Sequence, residues 1–170
     1  MAAPGSQVLS TSPGLEEAPL RKQGAQAGLL GALLVAAWFL YLDAVRGRAF
    51  FTPTVLATAL LKGGAGLQPE TLVPSIPLTV VFTVLHSLVF VTLGVIAGEL
   101  LYRFAHVRSR ALIALLLFGV LCLGFFAFAV NVSAVGPRAV AVRDALVGNA
   151  IAALGMTAYL VRNLPGRPPR

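Results

Sequence analysis

Read along the chain, apolar residues gather into four long runs separated by short polar breaks. In the first, Gly28 to Leu42 carries no charge, and Trp38 and Tyr41 near its end suit the approach to a membrane interface. The second begins after Pro74 and Pro77 and continues to about Tyr102. The third, Ala111 to Val130, is uncharged throughout, and about 20 apolar residues cross a bilayer. The fourth, from about Ala139, is interrupted by Arg143 and Asp144, which leaves the shorter apolar run Ala145 to Val161. Snorkelling or local thinning of the bilayer accommodates a span of that length. The pattern predicts an all-α membrane protein with four transmembrane helices, at about 25–45, 77–102, 111–131 and 139–161, in an antiparallel up-down bundle.

These helices form one transmembrane domain, residues 23–164. Residues 1–22, rich in Ala, Pro, Gly and Ser and without apolar periodicity, read as a disordered tail, and 165–170 as a short C-terminal one. No short apolar core follows the first residues, so helix 1 is expected to act as an uncleaved signal-anchor.

Between helices 1 and 2 lies a segment too short to span. Thr52 followed by Pro53 reads as an N-cap with proline at the first helical position, and Gly63 and Gly64 supply a stop. The turns between, about 53–62, place Thr54, Thr58 and Lys62 on one face and Val55, Leu56, Ala59 and Leu60 largely opposite. A short interfacial helix over the bundle is the expected result.

Small residues at a spacing of four mark where helices meet, because lipid supplies no hydrophobic force between them. Helix 1 carries Gly24, Gly28, Ala32 and Ala36 in one row, and helix 2 carries Gly94 and Gly98, with Ser87 two turns earlier. Helix 4 has Gly148, Ala152 and Gly155, and helix 3 has Gly124, Ala127 and Asn131. Each helix therefore has one face for close packing.

Composition agrees with the pattern: 58% of residues are hydrophobic and 11% charged, and the mean hydropathy is +0.87. That is too little charge to coat a water-exposed surface. The net charge of +7 raises nucleic acid as a partner. The basic residues instead stand singly or in small groups beside the apolar runs, as membrane anchors do, so nucleic acid is set aside. The N-terminal tail (Arg21, Lys22), the helix 2–3 loop (Arg103, Arg108, Arg110) and the C-terminus (Arg162, Arg167, Arg170) hold eight of them; Arg46, Arg48, Lys62, Arg138 and Arg143 on the other side make five. The bias puts both termini in the cytoplasm, and the Ala, Gly, Leu and Arg usage points to a bacterial inner membrane.

Polar residues inside the helices carry what chemistry there is. His86 lies near the middle of helix 2, on the side of Thr79, Thr83 and Ser87. Asp43 ends helix 1, with Arg46 three residues on as its expected partner; Asn131 ends helix 3, and Asp144 and Asn149 open helix 4. In an up-down bundle these ends meet on the non-cytoplasmic side, so His86, Asp43 and Asn149 are expected to line a pocket or to bond helix to helix.

Catalytic signatures are absent. There is no HExxH, GxSxG or phosphate-binding glycine loop, and Cys122 as the single cysteine excludes a CxxC pair. Haem through His86 needs a second ligand: His106 lies in the basic loop and Met156 is poorly placed, leaving a His86 from a second copy. The reading adopted is a non-enzymatic accessory or assembly subunit, in contact with lipid and with a membrane protein partner or further copies of itself, and with no cofactor. The alternatives are a haem-binding or proton-coupled protein centred on His86 and, last, a small oligomeric transporter. Helix 3 offers the transporter no polar path.

Overall fold

The computed structural model describes residues 14–63, 67–103, 109–131 and 141–163. Most of the two expected tails falls outside them. The described residues form five α-helices, α1 (Gly14–Val45), α2 (Phe51–Lys62), α3 (Ile76–Arg103), α4 (Arg110–Asn131) and α5 (Val142–Asn163), with one 3-10 turn at Pro69–Thr71 and no strand. Three helices are long and apolar enough to cross a membrane: Pro19–Val45 in α1, Ile76–Leu101 in α3 and Val142–Asn163 in α5. The charged start of α5 therefore does not disqualify it. In α4 the stretch Ala111–Gly124 is apolar but shorter.

α1 is the central element, packed on α3 along one side and on α5 along another. α4 packs on α5, and α2 on α3. Consecutive helices α3 and α4 share no extended contact among the described residues. Both α1 interfaces are antiparallel. Along α3, Gly24 meets Gly94 and Gly28 meets Phe90. Along α5, Gln26 bonds Tyr159, Gly31 meets Met156, and Trp38 meets Gly148.

Three of the four small-residue faces are where the helices touch. At the α1–α3 crossing the backbones themselves are in contact: a Cβ on Gly24 would lie 2.7 Å from both the Gly94 carbonyl oxygen and Val95 Cα. One on Gly28 would lie 2.6 Å from Val91 Cα. Gly98, expected to match Gly94, is looser, with Gly24 Cα 3.4 Å from its Cβ position. On α5, a Cβ at Gly148 would lie 3.1 Å from Cδ1 of the Trp38 ring. The fourth face differs. A Cβ at Gly124 of α4 would meet nothing within 4 Å. α4 instead buries the stripe Ile113, Leu117 and Leu121, large apolar side chains at i, i+4 and i+8, in the core it shares with α5.

Helix ends depart from the sequence expectation for identifiable reasons. α1 begins at Gly14 rather than near Ala25, and Leu20 is buried, its carbonyl 3.7 Å from the Cβ position of Gly98 on α3. Packing against α3 thus carries the helix beyond its uncharged stretch. α1 ends in a Schellman motif: Arg48 N–H donates to Asp43 O and Gly47 N–H to Ala44 O, both at 2.9 Å. Gly47 takes the left-handed φ of 68° that the motif requires. Phe50, three residues later, is also left-handed at φ 64°, a strained state for an aromatic residue, and it turns the chain into α2.

Candidate functional site

Asp43, Arg46, Thr52 and Asp144 assemble at the junction of α1, α2 and α5, in pairings the sequence did not predict. Thr52 is not the cap of α2. The helix starts one residue earlier, at Phe51, and Phe50 at the cap position offers no side-chain acceptor. Asp43 of α1 does the capping. Its carboxylate accepts the Thr52 backbone N–H at Oδ2 and the Thr52 hydroxyl at Oδ1, each at 2.7 Å, and it is only 1% exposed. A carboxylate at the positive end of a helix is favourably placed, and it satisfies an N–H that the helix leaves unpaired. Asp43 thereby fixes where α1 stops and where α2 starts, since its own backbone oxygen closes the Schellman turn.

Arg46, the expected partner of Asp43, reaches across to α5. Its Nη2 lies 2.6 Å from Asp144 Oδ2, and Arg143 Nε stands 3.6 Å from Oδ1 of the same carboxylate. The Trp38 indole N–H donates to the Asp144 backbone oxygen at 2.9 Å. The reason for the exchange is angular: Asp43 faces α2, leaving Arg46 on the side of α1 that meets α5. Arg48 lies with its guanidinium 3.6 Å from the centre of the Phe51 ring and donates to Leu72 O at 3.3 Å.

α2 is held on its other side by threonines. The Ser75 backbone N–H, just before α3, donates to Thr54 Oγ1 at 2.9 Å, and the Thr54 hydroxyl donates to Phe50 O at 2.7 Å. The Thr58 hydroxyl bonds Thr54 O within the helix at 2.8 Å. Thr52, Thr54 and Thr58 are all buried, while Leu60 and Leu61 are exposed. Thr52 and Thr54 turn inward to bond α1 and the start of α3, and Val55 and Ala59 on the apolar face are buried as well.

His86 and Asn149 stand apart from this junction. The imidazole stacks on Phe82 at a ring separation of 5.6 Å and tilts against Phe90 at 4.6 Å. It faces the Ala32 backbone in the middle of α1. Ala32 and Asp43 are separated by about 16 Å along the helix at 1.5 Å per residue, so His86 and Asp43 do not line one pocket. The cause is the antiparallel register that the glycines impose, which sets position 86 opposite position 32. Asn149 Nδ2 points to Cys122 Sγ of α4 at 3.8 Å, a weak contact away from Asp43. The side chain of Asn131 lies outside the described residues.

Among the described residues no group of His, Cys, Asp or Glu has the arrangement of a metal site. The concavity between Leu20, Arg21, Val95 and Glu99, at the opposite end, encloses about 10 Å³, room for one water. The aromatic sandwich around His86 leaves its buried Nε2 without a hydrogen-bond partner. A buried unpaired nitrogen is unfavourable by about 1–3 kcal/mol. His86→Leu is therefore expected to leave thermal stability in detergent unchanged or to raise it, and His86→Gln, with two polar atoms to satisfy, to lower it. A marked loss in the Leu variant would mean that the Ala32 backbone contact and the ring packing outweigh the unpaired nitrogen.

Sequence features that could have revealed the junction were present but ambiguous. Asp43 and Thr52 are separated by nine positions across a turn, beyond any helical spacing rule, and Asp144 lies 98 positions from Arg46. No protein-family model, curated protein or solved structure matches the chain.

Proposed function

We propose that the chain is a four-span inner-membrane protein with both termini in the cytoplasm, and that it serves as a non-enzymatic accessory or assembly subunit of a larger membrane complex. α4 supplies the fourth span, its uncharged stretch Ala111 to Val130 being long enough. The orientation rests on the eight-to-five distribution of Lys and Arg. α2 then lies at the non-cytoplasmic interface, Lys62 at its end reaching water and Leu60 and Leu61 facing acyl chains.

The observation that carries the functional reading is how the polar groups are engaged. Asp43, Thr52, Thr54 and Asp144 each bond another helix or the turn beside it, so this chemistry joins helices. α4 meanwhile turns a broad apolar face outward, with Leu115, Leu116 and Leu123 more than 60% exposed and the open Gly119 and Gly124 among them. A helix of a partner fits such a face, since glycine permits close approach.

The test separates partner contact from self-packing. Nothing lies within 4 Å of a Cβ at either glycine, so Gly119→Phe with Gly124→Phe should leave the purified chain as stable as before. If α4 receives a partner, the double variant loses the proteins that co-purify with the parent at fixed stoichiometry in mild detergent. Retention of the same partners would remove α4 as the contact face. A second reading, haem bound through His86, has the unengaged Nε2 in its favour. A Soret band in the purified chain that disappears in His86→Gln would establish it.

A further inference from the structure

We propose that the junction of α1 and α5 is a binding site for the phosphate of an anionic phospholipid, with Arg46 and Arg143 as its ligands. The site begins with a charge imbalance. The Asp144 carboxylate is shared by two guanidinium groups, Arg46 at 2.6 Å and Arg143 at 3.6 Å, so one positive charge is left over. Asp43, the other carboxylate at this junction, is buried and bonded to Thr52. Arg48 adds a further cation, bonded to a carbonyl and laid on an aromatic ring rather than paired with an acid.

The two ligands are open in the way a headgroup needs. The Arg143 side chain is 87% exposed and engages Asp144 through Nε alone, leaving both Nη groups for an oxyanion. Arg46 is 49% exposed and uses Nη2, leaving Nη1 and Nε. Asp144, 5% exposed, holds the two planar forks on one support. Guanidinium donors in that arrangement match the oxygens of a phosphate.

What assigns the phosphate to a lipid is the surface below. Val147, one turn deeper on the face of Arg143, and Leu154, two turns further, are both exposed and apolar. The charged head at the membrane boundary thus stands over an apolar strip running along α5, the shape of a headgroup with its acyl chain. The excess positive charge selects an anionic headgroup over a zwitterionic one, because an ammonium would find no free carboxylate at the junction.

The full-length protein, purified in neutral detergent and exchanged with phosphatidylglycerol or phosphatidylcholine, reports the site by the lipid it retains in intact-protein mass spectrometry. Phosphatidylglycerol should be retained preferentially. Arg143→Gln should reduce that retention by about fivefold, the effect of one interfacial cation. It should not change the thermal unfolding midpoint in phosphatidylcholine, since the side chain is almost wholly exposed. Arg162→Gln, at the opposite end of α5, should retain phosphatidylglycerol like the parent. Equal retention of the two lipids by the parent, or undiminished retention by Arg143→Gln, would overturn the proposal. Stabilisation by inorganic phosphate equal to that by phosphatidylglycerol would overturn the assignment to a lipid.

Discussion

Gly94→Ala is expected to destabilise the protein by about 3 kcal/mol, the upper end of what overpacking costs, whereas Gly98→Ala should be neutral or slightly stabilising. The two glycines stand one turn apart on one face of α3, and sequence treats them as equivalent. Their surroundings are not. A Cβ at position 94 would sit 2.7 Å from Gly28 Cα and closer still to the Gly24 carbonyl oxygen, which are rigid backbone atoms of α1. Neither can rotate away, so α1 and α3 must separate. Gly28→Ala is the reciprocal change, meeting the Phe90 oxygen and Val91 Cα, and should cost as much. At position 98 the closest atom is Gly24 Cα at 3.4 Å, ordinary van der Waals contact. There the gain in helix propensity from Gly to Ala, up to about 1 kcal/mol, is available. Thermal or denaturant unfolding of the three variants in one detergent checks the contrast. Similar losses at 94 and 98 would show that the close contact is not confined to Gly24, Gly28 and Gly94.

Asp43→Ala should release α2 from the bundle, with a loss of about 2–4 kcal/mol. The carboxylate accepts two charge-assisted bonds in a buried position. Their removal leaves the Thr52 N–H and hydroxyl unpaired and the positive end of α2 uncapped. Thr52→Val removes only the hydroxyl bond and should have about half the effect. Local release is distinguishable from general loss of stability by where the chain becomes cleavable. The turn after α1 contains Arg46 and Arg48, and trypsin should cut there faster in Asp43→Ala while the spans stay intact. If Asp43→Ala and the parent are cut there at the same rate, the Schellman turn and the threonine bonds to Ser75 hold α2 unaided.

The sequence by itself determined the membrane class, the existence of every described α-helix and most of the glycine contact faces. These follow from local quantities: runs of apolar residues longer than a soluble core requires, and small residues at the period of a helix. Even the stop of α2 at Gly63 is local, since its φ of 80° is a conformation glycine adopts freely. What the sequence could not determine is which way each polar side chain turns once the helices are side by side. Asp43 and Arg46, three residues apart, read as a pair. In the tertiary structure they face different helices, one capping α2 and the other reaching Asp144. His86 reads as part of the same polar end, but the register that Gly24, Gly28 and Gly94 impose between α1 and α3 places it beside Ala32, between two phenylalanine rings. The difference between Gly94 and Gly98 has the same origin, for only the line along which two helices cross decides which glycine meets backbone. Periodicity assigns a residue to a face of its own helix. The relative rotation, register and crossing of the helices, set by close packing over their whole length, assign that face a partner.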